Sequence, residues 1–123
     1  MSNRFPKKSR LRNSIEFTRV FNHNVYAADE VLVINGAKRI DKEGFLDEVR
    51  LGLSIGRVVG NAPVRNRWKR LIREAFRLNR EQLPKGYDFV VRPRKGAFPE
   101  FHAICRSLQR LTLKIKKRDE QRD

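Results

Sequence analysis

Near the start of the chain the apolar residues recur at helical spacing. Phe17, Val20 and Phe21 share one face of a short helix that ends within residues 22–24. Asn13, with Glu16 three residues on, supplies an N-cap and its capping-box partner. Residues 30–36 read as a buried strand, and the polar stretch 37–47, with Gly44, as a hairpin connection. Over residues 48–57 the pattern alternates, with Val49, Leu51, Leu53 and Ile55 on one face and Arg50, Gly52, Ser54 and Gly56 on the other. Because that second face is small or basic, another segment of backbone can approach it closely. A turn at 58–63 carries Gly60 as breaker, Asn61 as N-cap and Pro63 in the first helical turn. The spacing then predicts a long helix over 62–80, a strand over 87–91 and a final helix over 99–116. In that last helix Phe101, Ile104, Cys105, Leu108, Leu111, Thr112 and Ile115 form one apolar face.

The order is helix, strand, strand, helix, strand, helix, with room for one more strand in the hairpin region. It describes an α+β fold, a compact two-layer α–β sandwich whose helices cover one face of a small sheet. Neither an internal repeat nor an interdomain linker is evident, so residues 1–123 read as one domain. Residues 1–12 form a basic arm, and residues 117–123 a charged tail expected to fray.

Charge gives this outline a direction. The chain holds 29 Lys and Arg against 14 Asp and Glu, a net charge of +15. Such an excess repels itself and points to a polyanionic partner, nucleic acid first and an anionic membrane second. No stretch approaches the roughly 18 apolar residues of a membrane span, and no apolar run follows the basic start as in a secretory signal. Cys105 is the single cysteine, so an internal disulfide is excluded and a cytoplasmic location is expected.

The long helix concentrates the charge. At about 100° per residue, Val64, Trp68, Leu71, Ile72, Ala75 and Leu78 gather on one arc with Phe76 at its edge. Asn66, Lys69, Arg70, Arg73, Arg77 and Arg80 gather opposite, and Arg65 and Arg67 flank the apolar arc. Glu74 is the only acid between Val64 and Arg80. Solvated helix faces usually mix signs, since acid–base pairs one turn apart are stabilising and stacked like charges are not. Cations at a helix start also oppose the helix dipole. An anionic partner removes both objections, and guanidinium groups match phosphate oxygens well. Arg57 and Asn61, beside backbone N–H groups expected to point outward from the helix start, extend this candidate phosphate-binding surface.

Catalytic constellations are missing from the sequence. No Ser-His-Asp or Cys-His pattern is evident. His102 and Cys105, three apart on a helix, are too few ligands for zinc. The acids around the hairpin (Asp29, Glu30, Asp41, Glu43, Asp47 and Glu48) read as solvated loop residues more than as a two-metal centre. Neither a catalytic residue nor a metal or cofactor held by the protein is expected. A ribosomal-type RNA-binding protein fits composition and helix equally well. A DNA-binding protein fits less well, because no helix-turn-helix pair is visible.

The run RLGLSIGRVVGNAPVRNRWKRLIREAFR, residues 50–77, resembles the signature of the bacterial ribonuclease P protein family, with Arg65-Asn66-Arg67 as its hallmark. RLRNSIEFTRVF and LPKGYDFVVRPR extend the resemblance over most of the chain. It implies a mixed four-stranded sheet with a left-handed strand–helix–strand crossover, although such crossovers are right-handed in about 98% of cases. It also implies a noncatalytic subunit of an endoribonuclease whose RNA component, requiring Mg²⁺, removes the 5′ leader of precursor tRNA. Arg65, Asn66, Arg67, Lys69, Arg70 and Arg73 would contact that RNA, with Arg57, Asn61 and Arg77 added from the helix reading. Phe17 and Phe21 match aromatic positions of a cleft for the single-stranded leader, which Arg50 and Ser54 would join. An aromatic common in the family's first strand appears here as Ile34. Leader preference and self-association are not legible.

Overall fold

A computed structural model describes residues 10–11, 13–39 and 48–122. Most of the basic arm and of the hairpin connection therefore lies outside the described residues.

The first helix, α1 (Ser14–His23), starts where expected, with the Asn13 side chain accepting the Glu16 N–H at 2.9 Å. The carboxylate of Glu16, the capping-box position, reaches Arg50 at 2.8 Å. Asn24 ends the helix in the left-handed region at φ 59°, a conformation that Asn tolerates better than most residues. The chain then enters β1 (Val25–Ala28), turns at Asp29 and returns as β2 (Leu32–Lys38). The carboxylate of Asp29 accepts the N–H groups of Val31 and Leu32, at 2.8 and 2.9 Å, which fixes the turn. The extra strand thus precedes the expected one, while β3 (Arg50–Leu53) is shorter than the alternation over 48–57 implied.

The remaining elements are α2 (Ala62–Asn79), β4 (Tyr87–Pro93) and α3 (Phe101–Gln121). The sheet order is β1-β2-β4-β3, with β4 antiparallel to β2 and parallel to β3. On the outer edge of β3, the Leu11 N–H donates to Leu51 O at 3.0 Å. The charged tail proves to be mostly helix: α3 continues through Gln121 because its last turn is tied to other elements.

One face of the sheet carries the main core. Trp68, Ile72, Ala75 and Phe76 from α2, and Ile104, Leu108, Leu111 and Ile115 from α3, pack on Ile34, Leu51, Phe89 and Val91. The apolar arc of α2 is centred further round than the helical spacing indicated. Phe76 is fully buried, and Val64 and Leu78 are exposed.

The expectation that helices cover only one face needs correction, because α1 lies on the other. There Val20 joins Leu11, Ala37 and Val90 in a smaller core against which Phe17 packs. The small residues of that face permit this approach. A Cβ on Gly52 would lie 2.7 Å from the ring of Phe17. Gly52→Ala is therefore expected to displace the ring and lower stability by about 1–3 kcal/mol. A urea midpoint unchanged from wild type would contradict this packing account.

Candidate nucleic-acid interface

The positive surface is built from the entry to α2 onward. After β3 the chain makes a 3-10 turn at Arg57–Val59 and passes through Gly60 at φ 153°. A Cβ at Gly60 would sit 2.9 Å from the Val64 side chain, so glycine suits the position both conformationally and sterically. The Asn61 side chain caps α2 by accepting the Val64 N–H at 3.1 Å. Arg65 donates from Nη1 to Gly60 O at 2.9 Å and so braces the turn that precedes its own helix. The outward row of backbone donors is shorter than expected, since Pro63 has no N–H and that of Val64 is taken by Asn61.

Burial of Trp68 and Ile72 aims the opposite side of α2 at solvent. Arg57, Asn66, Arg67, Arg70 and Arg73 are exposed and Lys69 is half-buried. Glu74 pairs with Arg77, and this contact holds the Glu74 carboxyl below its ordinary range and pushes the Arg77 guanidinium up. Arg77 is thereby partly neutralised within the helix. Among the described residues, no carboxylate pairs with Arg57, Arg67, Lys69, Arg70 or Arg73. These five form a cationic face that no carboxylate among the described residues compensates.

The second candidate surface lies between α1 and the sheet. Phe21 is exposed, whereas Phe17 is half-buried over Gly52 and belongs chiefly to the small core. Arg50 is engaged internally. Its Nε and Nη2 donate to the two oxygens of Asp88 at 2.8 and 2.7 Å, and its Nη1 to Glu16 at 2.8 Å. Donating to the Asp88 carboxylate raises the pKa of Arg50 despite burial. Asp88 is fully buried and also accepts from Arg19 at 2.6 Å, with Arg39 Nε 3.6 Å away. Arg50 therefore anchors α1 to the sheet and is not a free cation waiting for a ligand. Ser54 is half-buried at the end of β3, its N–H donating to Val91 O at 3.0 Å.

The register shows what sequence reasoning missed. Tyr26, Asn35, Val90 and Gly52 lie across from one another on the α1 side of the sheet. Tyr26 is exposed, and the buried Oδ1 of Asn35 has no hydrogen-bond partner. Ile34 faces the main core, so the residue of β2 on the α1 side is its neighbour Asn35, which is itself buried. Alternation from Ile34 would have found Asn35. Tyr26 sits in a strand too short and alanine-rich to be visible. Among the described residues, no three His, Cys, Asp or Glu side chains converge as metal ligands, and no helix is long and apolar enough to cross a membrane.

Comparison with known proteins gives these surfaces a context. A family model described as Ribonuclease P matches residues 5–116. The chain belongs to the ribonuclease P protein family. A ribonuclease P protein component of Clostridium beijerinckii is 45% identical over 83 residues, 66% of this chain and 66% of that protein. One from Bacillus pumilus is 38% identical over 106 residues, covering 85% of this chain and 86% of its own length. The solved structure of the Staphylococcus aureus RNase P protein superimposes with a TM-score of 0.71 at 31% identity, over 89% of this chain and 95% of that one. The ribonuclease P family match spans both candidate surfaces, and it stops before the last turn of α3.

Proposed function

We propose that the chain is the noncatalytic, RNA-binding protein subunit of ribonuclease P, acting with a catalytic RNA to remove the 5′ leader of precursor tRNA. The uncompensated cations of α2 are the observation that carries this reading. They are held on one rigid helix face by the burial of Trp68, Ile72 and Phe76 behind them. Rigid, unpaired guanidinium and ammonium groups bind phosphates without first giving up an internal partner. In this reading Arg67, Lys69, Arg70 and Arg73, with Asn66 and Arg57, meet the RNA subunit. Arg65 acts partly through the turn that it braces, and Arg77, paired with Glu74, contributes less. Hydrolysis of the phosphodiester belongs to the RNA and its Mg²⁺, and the protein offsets repulsion between two polyanions.

The cleft beside α1 is assigned to the single-stranded leader. Phe21 and Tyr26 offer exposed rings on which unpaired bases can stack. Asn35 offers a buried acceptor that is otherwise unsatisfied. Phe17 supports the cleft from beneath, and Arg50 fixes its wall.

Reconstitution tests the proposal. The protein, a bacterial ribonuclease P RNA and precursor tRNA are combined at low Mg²⁺, with protein-only and RNA-only controls. Cleavage at the mature 5′ end is expected to need both components. Cleavage indifferent to the protein, or performed by the protein alone, would refute the assignment.

A further inference from the structure

The family match ends at residue 116, whereas α3 continues to Gln121. The turn beyond the match grips the other side of the molecule. Asp119 lies between two partners, with Oδ1 2.6 Å from His23 Nε2 and Oδ2 accepting from the Tyr87 hydroxyl at 2.9 Å. Burial would raise the Asp119 carboxyl, but the contacts with His23 and Tyr87 outweigh it and keep the group below its ordinary range. Arg122 donates to the carbonyl of His23, the last residue of α1, and Arg118 donates to the carbonyl of Tyr26 in β1.

These contacts fall on a short segment with a particular place. Residues 23–26 join α1 to β1 through the left-handed Asn24, and residues 22–25 separate two exposed aromatics, Phe21 and Tyr26. The other ties of α1 to the sheet lie earlier, at Glu16, Phe17, Arg19 and Val20. Asn24, whose N–H donates to Phe21 O, closes the helix, and pairing with β2 holds Tyr26; the end of α3 ties these two pieces together from outside.

We infer that Arg118, Asp119 and Arg122 form a clasp that positions Phe21 and Tyr26 for the single-stranded leader. This rests on the leader-binding reading of the cleft. The three are positioning residues, acting on the leader through the α1–β1 junction and having no part in the contact with the RNA subunit.

The test uses the reconstituted holoenzyme with wild type, Asp119→Ala and the double variant Arg118→Gln/Arg122→Gln. The double variant alters only exposed side chains that bond backbone carbonyls, and so protects the test against a folding defect in the first. Three quantities are read: affinity for precursor tRNA relative to leaderless tRNA, affinity of the protein for the RNA subunit, and Tm. The expected result is a loss of about ten-fold in the leader-dependent ratio, the scale of one charge-assisted hydrogen bond, with affinity for the RNA subunit within about two-fold of wild type. Folded variants that keep the wild-type ratio would overturn the clasp, even if their Tm falls. A wild-type ratio near one would refute leader binding itself, and the clasp's role with it.

Discussion

Asp88→Ala is expected to destabilise the protein by about 3–5 kcal/mol, the cost of stripping a buried counter-ion from charges that remain. Asp88 is fully buried and binds Arg50 through two parallel hydrogen bonds. Arg19 and Arg39 lie against the same carboxylate. Arg39 shows how finely the charges are balanced, since burial lowers its pKa and the attraction of Asp88 opposes that fall. Without Asp88, three guanidiniums crowd one site beneath α1. The loss at Arg19 should be smaller, because that side chain is partly in water and screened. The loss at Arg50 and Arg39 should dominate. Urea denaturation checks this, and a change below about 1 kcal/mol would mean that the network contributes little. Because Glu16 and Arg19 of α1 hang on this network, α1 should be the first element to lose hydrogen-exchange protection.

The second large effect is expected on binding, with the opposite sign on stability. In Arg67→Gln/Arg70→Gln/Arg73→Gln, three cations with no carboxylate partner among the described residues leave one stripe of α2. If each phosphate contact contributes about 1 kcal/mol, affinity for the RNA subunit falls on the order of a hundred-fold. The slope of log affinity against log salt should shrink by about 3, close to one for each phosphate that is no longer neutralised. The same substitutions relieve repulsion between like charges three residues apart, so Tm should stay level or rise slightly. Arg77→Gln is the internal control: its charge is already shared with Glu74, and its effect on affinity should be several-fold smaller. Unchanged affinity and salt dependence in the triple variant would place the RNA elsewhere.

What could be read from the sequence was local. Asn13 and Asn61 act as the caps their positions indicate. The cationic stripe of α2 and the apolar face of α3 follow from spacing alone, because a helix repeats every turn whatever it packs against. The parts that stayed hidden depend on partners distant in the chain. Arg50 looked like a cleft cation because its counter-ion, Asp88, is 38 residues away. Residues 117–121 looked like a fraying tail because His23, which Asp119 meets, is 96 residues away. Alternation over 48–57 correctly marked a small-residue face on the sheet, but it could not say that α1 would fill it. Four residues, Val25–Ala28, carry too little pattern to declare a strand, and only pairing with β2 makes them one.

The place of β4 in the sheet has a consequence for how the molecule comes into being. It lies between β2 and β3, yet it is the last strand in the chain. A nascent polypeptide that has emerged only as far as residue 86 contains the whole cationic helix but not the strand that joins the two halves of the sheet. Its Trp68, Ile72 and Phe76 then lack the surface that later covers them, and the charges behind them have no fixed spacing. Ordering of the array waits for a pairing between segments far apart in sequence, the kind of step that slows folding. Competence to hold a polyanion in one defined geometry should therefore arrive late in synthesis and all at once, when residues 87–93 slot between their neighbours.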